Sequence, residues 1–209
     1  MHVAFWMLGV HFSYGNSASD IVKQVEDKYS SVQSIQADFE QKTKSSFAPS
    51  EISVKGQVVL KRKRKMRWQF DAPDSRLFWS DGSKAYMWNP SQKQYFVLDD
   101  VSNGATQILD NLSSIEQYFE VQIPASDGNE ALQLQLTPKA DSQLAASVKS
   151  LEVELKKTEL MLSSVVVHDH MGSVTTISFE NVELNPSIDD TIFTFEPPEG
   201  AEIIKTDGP

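Results

Sequence analysis

The residues with the clearest potential for chemistry are two histidines that flank one aspartate, His168, Asp169 and His170. Imidazoles at positions i and i+2 of a strand share one face, where both could bind a metal ion. A lipid- or glycan-acting hydrolase that uses His168 or His170 is therefore one hypothesis. The valines before this group and Met171-Gly172 after it are more typical of a polar hairpin tip.

No sequence motif for nucleophilic, nucleotide-dependent or metal-dependent catalysis is present, because GxSxG, Walker, GxGxxG and HExxH patterns are all missing. The chain also has no cysteine, which excludes thiolate chemistry, disulfides and a lipid-modified N-terminal cysteine. We therefore expect a protein that is not an enzyme and that needs no metal or cofactor.

A dense cationic run is the second group with chemical potential, since six of the seven residues from Lys61 to Arg67 are Lys or Arg. The whole chain has a formal charge of −10, so the chain without the +6 of this run stands at −16. Nucleic acid would meet a mostly repulsive surface, and we expect no nucleic-acid binding. A cationic-rim module that binds anionic lipid or an acidic partner remains an alternative.

The residues around the run alternate in the way that half-buried strands do. Val58 and Leu60 precede it, while Met66, Trp68 and Phe70 alternate with polar residues at its end. This pattern predicts a strand pair with cations along a rim or outward face. The apolar stripe is typical of a core, and it is equally suited to a cavity that holds an adaptable apolar ligand.

The remaining chain supplies the elements that must position this stripe. Spacings of three and four residues predict helices from Asp20 to about Val32 and from Val101 to Phe119. Alternating segments and turn residues predict about ten antiparallel strands, including one at Ile192–Phe195. We therefore expect an α+β fold whose long sheet must curl, close or split, with a helix that covers one face.

The N-terminal residues resemble a secretory signal peptide. Val3 to Val10 are apolar, and the small residues Ser17, Ala18 and Ser19 follow, although no basic segment precedes them. We expect residues 1–19 to be an atypical signal peptide and residues 20–209 to be a single domain, because no linker composition divides them.

Several short stretches, in this order and spacing, resemble the LolA family of periplasmic outer-membrane lipoprotein carriers over residues 20 to 204. They are SIQADFEQ at 34–41, the strand from Gly56 to Arg62 and Trp68, SDG at 80–82, WNP at 88–90, LTPK at 136–139 and FTFEPPEG at 193–200. The sequence departs from the family pattern at Lys63, where the family usually has proline, and at Met66, where it usually has an aromatic residue.

The resemblance implies an unclosed antiparallel β-barrel with a helical lid over an apolar cavity. It also implies a monomeric periplasmic chaperone that takes lipoproteins from an inner-membrane ABC transporter to an outer-membrane lipoprotein acceptor. The family's lid-latching arginine falls on Arg62, although Arg64 could compete. The expected acyl contacts are Met66, Trp68, Phe70, Phe78, Tyr86, Trp88, Ile108, Leu109 and Leu112.

Overall fold

The computed structural model describes residues 17–48, 50–98, 108–124 and 131–206. In chain order its helices and strands are α1 (Ala18–Ser30), β1 (Ser34–Lys44), β2 (Ile52–Lys61), β3 (Lys65–Phe70), β4 (Leu77–Asp81), β5 (Ala85–Asn89), β6 (Gln94–Leu98), α2 (Ile108–Leu112), α3 (Ile115–Tyr118), β7 (Phe119–Gln122), β8 (Ala131–Pro138), β9 (Val148–Lys156), β10 (Met161–Asp169), β11 (Val174–Leu184) and β12 (Glu202–Thr206). Short 3-10 turns occur at Gln143–Ala146 and Asp190–Phe193.

All twelve strands belong to one sheet, in the order β12-β6-β5-β4-β3-β2-β1-β11-β10-β9-β8-β7. Neighbouring strands are antiparallel except β12, which runs parallel to β6. The edges β7 and β12 do not pair with each other, so the sheet is not closed. Buried side chains from β1–β3 and from β8–β10 form one core cluster, which shows that the sheet curls around it. The predicted α+β unclosed barrel is confirmed.

Helix α1 begins with a capping box, the pairing that satisfies free N–H groups at a helix start. The Asp20 N–H donates to the Ser17 Oγ, and the Asp20 carboxylate accepts from the Ser17 N–H, both over 3.1 Å. Val22, Val25 and Tyr29 are fully buried on one side of the helix. The expected leader at 1–19 falls on residues 1–16, which lie outside the described residues, and on the start of α1.

The helix predicted from Val101 to Phe119 is instead two short helices, α2 and α3, with residues 101–107 outside the described part of the chain. The break lies at Ser113 and Ser114, where the Ser113 hydroxyl donates to the Asp110 carbonyl over 3.0 Å. Serine side chains compete for backbone hydrogen bonds in this way and favour helix ends. The lid thus consists of α1, α2 and α3, which contact one another.

The alternation along β1–β3 sorts side chains onto two faces of the sheet. Opposite one another in register lie Phe39 and Gly56, Gly56 and Phe70, and Trp68 and Phe78. The four aromatic side chains among these residues face the concave interior. A second cluster, on the outer face of β4–β6, consists of Leu77, Trp79, Tyr86, Trp88, Tyr95, Val97 and Phe195.

The end of the chain differs from the predicted pattern. The predicted strand at Ile192–Phe195 is wrong, because Asp190–Phe193 is a 3-10 turn in which the Asp189 carboxylate accepts from the Thr191 N–H over 2.9 Å. The following segment reaches the edge of the sheet, where β12 pairs with β6, an element that the alternation did not indicate. We call residues 186–195, which cross the outer face, the C-terminal strap.

Candidate functional site

An apolar cavity of about 420 Å³ lies between the concave face of the sheet and the lid side. This volume falls in the range of roughly 300–1,000 Å³ that is usual for ligand pockets. The lining is mostly aliphatic and aromatic, and consists of Gln41, Met66, Trp68, Phe70, Arg76, Phe78, Ala85, Tyr86, Leu98, Asn111, Leu112, Phe119, Leu136, Leu144, Val148, Leu151, Val153, Val165, Val167 and Ile177.

Burial differs among the residues of the cavity lining. Met66, Trp68 and Leu112 are no more than 5 % exposed and form its deep part. Gln41 and Ile177, which are opposite each other on β1 and β11, are only half-buried, and so is Asn111 of α2.

Five of the nine expected acyl contacts line the cavity and need no correction, namely Met66, Trp68, Phe70, Phe78 and Leu112. Ile108 and Leu109 lie in α2, but their side chains fall outside the described residues.

Tyr86 and Trp88 need a correction, because both point to the outer face. Tyr86 borders the cavity, yet its ring stacks on Trp79 with 5.1 Å between ring centroids. Trp88 is not in the lining and lies 6.2 Å from the Phe195 ring. The reason is register: Trp88 is opposite Leu77, whereas Phe78, one residue along β4, faces the cavity. We therefore remove Trp88 from the proposed acyl contacts.

Aromatic rings form a wall at the cavity, in which Trp68 and Phe70 belong to the lining and Phe39 packs against both. The Phe39 ring lies 4.8 Å from Trp68 and 5.3 Å from Phe70, both edge-on. The Trp68 indole Nε1 is buried and has no hydrogen-bond partner among the described residues. A buried N–H without an acceptor costs about 1–3 kcal/mol, so the wall contains one unused hydrogen-bond donor.

Arg62, in the turn between β2 and β3, joins the sheet to the lid. Its guanidinium donates to the backbone carbonyls of Val32 over 2.8 Å and Tyr29 over 2.5 Å, at the end of α1. The same group donates to the Asp110 carboxylate over 2.7 Å and to the Ser113 hydroxyl over 3.2 Å, on the α2 side. One side chain thus holds two lid segments through polar contacts with each.

The two residues after Arg62 complete the turn and have different surroundings. Lys63 and Arg64 have φ angles of 67° and 59°. The ring of proline fixes φ near −65°, so the proline usual in the resembling family would not suit the Lys63 conformation. Arg64 is exposed and borders a polar cleft with Asp110 and Asp141, outside the apolar cavity.

The other cations of the run bind the C-terminal strap on the outer face. Lys61 and Lys65 contact the two oxygens of Asp190 over 2.7 and 2.8 Å. Arg67 donates to the Ile192 carbonyl over 2.9 Å. Lys61 and Lys65 thus lie on the outward face of the strand pair and bind the strap there. The run is divided between the lid on one side and the strap on the other.

Arg76 was missed by sequence reasoning, although it lines the cavity. Its guanidinium lies 5.2 Å from the Phe70 ring centroid and 5.9 Å from that of Phe78, in cation–π contact. The Asp74 carboxylate accepts from the Arg76 Nε over 2.5 Å, and this contact holds the pKa of Asp74 below its usual range. A charged pair therefore sits beside an otherwise apolar wall.

The two histidines do not act together. His168 Nε2 lies 2.9 Å from the Glu152 carboxylate, and His170 Nε2 lies 2.9 Å from the Ala145 carbonyl. Within the described ranges, no group of three His, Asp or Glu side chains could hold a metal ion. The pair belongs to a hairpin tip, as its neighbours indicated.

Comparison with known sequences identifies the family of this chain. The family described as "Outer membrane lipoprotein carrier protein LolA" matches residues 30–196. This chain belongs to the LolA family. The LolA resemblance seen in the short motifs is thereby confirmed.

Individual relatives of the LolA family agree. The outer-membrane lipoprotein carrier protein of Chromohalobacter salexigens is 31% identical over 180 residues, which cover 85% of this chain and 83% of the relative. That of Pseudomonas putida is 30% identical over 177 residues, covering 83% and 82%.

Solved structures support the same fold at low identity. An uncharacterized conserved protein from Thermus thermophilus matches with a TM-score of 0.56 at 9% identity, covering 91% of this chain and 100% of that one. A putative outer membrane lipoprotein-sorting protein domain from Vibrio parahaemolyticus matches with a TM-score of 0.50 at 14% identity, covering 83% and 94%. None of the helices in the described residues is both long and apolar enough to span a bilayer.

Proposed function

We propose that this protein carries outer-membrane lipoproteins and encloses their acyl chains in the apolar cavity. The observation that carries the proposal is the cavity lined by Met66, Trp68 and Phe70 beneath a lid fastened by Arg62. The LolA family match over residues 30–196 supports it. The role is binding and transfer, without a catalytic step.

The energetics of acyl chains favour this arrangement. Burying one methylene is worth about 0.8 kcal/mol, so a chain of about sixteen carbons gains on the order of 13 kcal/mol on leaving water. Cargo held this strongly does not escape to water and must pass directly to another apolar site. We therefore propose handover from an inner-membrane ABC transporter to this protein and then to an outer-membrane lipoprotein acceptor, with the carrier working as a periplasmic monomer.

A lid over such cargo must open without a large free-energy cost, and polar latches allow this. The Arg62 contact with Asp110, whose side chain is 41% exposed, is one that water can replace. The unpartnered Trp68 Nε1 offers a further role, because an ester oxygen of a diacylglyceryl cargo would accept its hydrogen bond. We propose that Trp68 contributes both apolar surface and this polar contact.

A dipalmitoylated peptide tests the carrier function, with complex formation followed by native mass spectrometry. Val165→Glu places a carboxylate at a half-buried position of the cavity lining and is expected to reduce binding at least tenfold, because a charge enters an apolar lining. Gln69→Glu, on the exposed outer face of β3, is the matched control and should bind normally.

Ionic strength separates this function from binding by surface charge. Sequestration of acyl chains should change little with salt, whereas recognition by the cations of the run would weaken steeply. The carrier proposal fails if wild type does not retain the dipalmitoylated peptide, or if retention is lost at high salt.

A further inference from the structure

Arg76 has the only charged side chain among the described residues that line the apolar cavity. The rest of the lining is aliphatic or aromatic, apart from small residues and the amides of Gln41 and Asn111. A hydrocarbon chain gains nothing from a charged neighbour, and a charge beside apolar surface is costly unless it is paired. The position of Arg76 therefore indicates a contact with a polar part of the cargo.

Contacts on two sides hold the Arg76 guanidinium in place. The two oxygens of Asp74 accept from Nε over 2.5 Å and from Nη2 over 2.7 Å, and Asp74 also accepts the Arg76 backbone N–H over 3.2 Å. The Phe70 and Phe78 rings, which line the cavity, lie 5.2 and 5.9 Å from the guanidinium carbon. A two-point pair of this kind fixes the plane of the guanidinium beside the two rings.

The guanidinium keeps hydrogen-bond donors that Asp74 does not use. It carries five N–H groups, and Asp74 takes one from Nε and one from Nη2. The remaining three, including both on Nη1, find no protein acceptor within the described ranges. Because the Arg76 side chain is 38% exposed, these donors are open to water or to a ligand.

Trp68 places a second donor next to Arg76. The Phe70 N–H donates to the Arg76 carbonyl over 3.0 Å, so these two residues are opposite each other, and Trp68 is opposite Phe78. Trp68 and Arg76 are therefore diagonal neighbours on one face, a relationship in which the Cα atoms are about 7–8 Å apart. The buried Trp68 Nε1 also has no acceptor in the described part of the chain. One diacylglyceryl group, with ester carbonyls on adjacent glycerol carbons, supplies acceptors for both donors.

The charge around the guanidinium decides which acceptor suits it. Asp74 neutralises Arg76, and Asp71 brings the turn at residues 71–76 to a net charge of −1. Asp71 itself is exposed and does not line the cavity. An anionic head group would therefore meet no net positive charge at this turn. An uncharged carbonyl oxygen needs only a donor, which Arg76 supplies.

We propose that Arg76 determines specificity in the cavity by donating hydrogen bonds to the uncharged ester carbonyls of the cargo's acyl groups. With Trp68 it holds the ester end of the cargo near the turn between β3 and β4, and the acyl chains lie against the apolar lining. This inference rests on the proposed carrier function and deepens it, because it names the chemical group that the cavity recognises. Hydrocarbon without esters and anionic amphiphiles are the ligands that it disfavours.

Competition between an ester and an ether measures this recognition. Wild type is mixed with equal amounts of a dipalmitoylated peptide and its dihexadecyl ether analogue, which lacks the carbonyl oxygens, and native mass spectrometry gives the ratio of the two complexes. We expect wild type to favour the ester about tenfold, because the ether offers poorer acceptors. Arg76→Met should lower this ratio about threefold, and adding Trp68→Phe should bring it to within about twofold of equality. A ratio within one sample is insensitive to a loss of folded protein.

Two variants separate hydrogen bonding from packing. Arg76→Lys keeps a donor on an unbranched stem and should give a ratio between those of wild type and Arg76→Met. Arg67→Met removes a guanidinium that contacts the C-terminal strap on the outer face of the same strand pair. It is the matched control and should leave the ratio within about twofold of wild type.

A charged head group tests the part played by Asp74. Asp74→Asn keeps an acceptor for the Arg76 guanidinium but removes one negative charge. Binding of hexadecanesulfonate relative to methyl palmitate, measured in the same competition, should rise about threefold or more, because the guanidinium is no longer neutralised. An unchanged ratio in Asp74→Asn would contradict the preference for an uncharged group.

Equal ester-to-ether ratios in wild type and Arg76→Met would overturn the proposal, and so would a loss of preference in Arg67→Met as large as that in Arg76→Met. Arg76 would then serve only the turn that it forms with Asp74. Wild type that retains both peptides without preference contradicts recognition by Arg76 alone. Wild type that retains neither peptide contradicts the carrier function, and this inference with it.

Discussion

Arg62 Nη1 donates to the Asp110 carboxylate over 2.7 Å and so links the turn between β2 and β3 to helix α2. The Arg62 side chain is 20% exposed and that of Asp110 is 41% exposed, so the ion pair alone contributes about 1 kcal/mol or less. The carbonyls of Tyr29 and Val32 add two charge-assisted hydrogen bonds to the same guanidinium. One side chain thus reaches both α1 and α2.

Replacing this side chain should loosen the lid without unfolding the sheet. In Arg62→Leu we expect the free energy of lid closure to become about 2 kcal/mol less favourable, which is the usual net contribution of hydrogen bonds to a charged group. That loss corresponds to roughly 30-fold faster amide hydrogen exchange in α1 and α2, measured by mass spectrometry. Exchange in β8 and β9, away from the turn, serves as the internal control.

Arg64→Leu is the matched variant, because Arg64 is in the same turn but exposed. It should change exchange in α1 and α2 by no more than about twofold, as most exposed substitutions do. If Arg64→Leu loosens the lid as much as Arg62→Leu, the assignment of the latch to Arg62 is wrong.

Local alternation was enough to predict most of the strands, because the side-chain period of a strand is visible in the sequence. Met66, Trp68 and Phe70 could be grouped on one face for that reason. Spacing to Trp68 also singled out Arg62 through the family resemblance. The alternation did not predict which face of the sheet Trp88 lies on, because that depends on the pairing of β4 with β5.

Contacts between distant parts of the chain left no local pattern. Asp110 contacts Arg62 from 48 positions away, and Asp190 contacts Lys61 from 129 positions away. Neither acid differs in its sequence neighbourhood from other surface acids. The charge run was visible, but its division between the lid and the strap follows from folding alone.

The strap contact predicts an abnormal titration of Asp190. Hydrogen bonds from Lys61 and Lys65 lower the pKa of Asp190 to about 2 from its ordinary 3.8. Because the folded-state pKa is depressed, the contact contributes fully above about pH 4 and is lost as the pH falls toward 2. The variant Lys61→Gln, Lys65→Gln should raise the pKa of Asp190 toward 3.8, as followed by carboxyl carbon NMR shifts.

Asp169 provides the control for this titration. Its pKa is lowered by hydrogen bonds from backbone and side chain within its own hairpin, the one to the Ser173 N–H above all, with no lysine involved. The lysine substitutions should leave Asp169 unchanged. An Asp190 titration that is the same in wild type and in the double variant would show that the strap is not held by these cations.

Gly56 is predicted to tolerate no side chain. Its β2 backbone lies so close to β3 that an added Cβ would be 2.0 Å from the Gln69 carbonyl oxygen and 3.0 Å from the Phe39 ring. Gly56→Ala must therefore separate paired strands or displace the aromatic wall, and should destabilise by about 3 kcal/mol or more. Urea unfolding followed by circular dichroism measures this change.

Gly200→Ala separates steric overlap from backbone strain. Gly200 has a φ of 81° but no atom within 4 Å of an added Cβ. Strain alone costs about 1 kcal/mol at such a position, so Gly200→Ala should be clearly milder than Gly56→Ala. Equal destabilisation by the two substitutions would contradict the close approach of β2 and β3.

Tyr29 anchors α1 to the turn between β9 and β10. Its hydroxyl donates to the Leu160 carbonyl over 3.1 Å and accepts from the Leu162 N–H over 2.9 Å, in a buried position. Tyr29→Phe leaves both backbone groups without this partner. We expect a loss of about 1–3 kcal/mol in the free energy of unfolding at pH 8, measured by urea denaturation.

The stabilisation by the Tyr29 hydroxyl should be lost at high pH. Burial raises the pKa of Tyr29 to about 12, against a modest opposing effect of the Leu162 N–H. A raised pKa means that the neutral hydroxyl stabilises the fold fully below pH 10 and that this contribution disappears as the pH rises toward 12. The stability difference between wild type and Tyr29→Phe should therefore be constant from pH 8 to about pH 10 and shrink above it. Using the difference cancels the titration of lysines and of the other tyrosines, which both proteins share. A difference that stays constant up to pH 12 would mean that the phenol is not buried between α1 and the sheet.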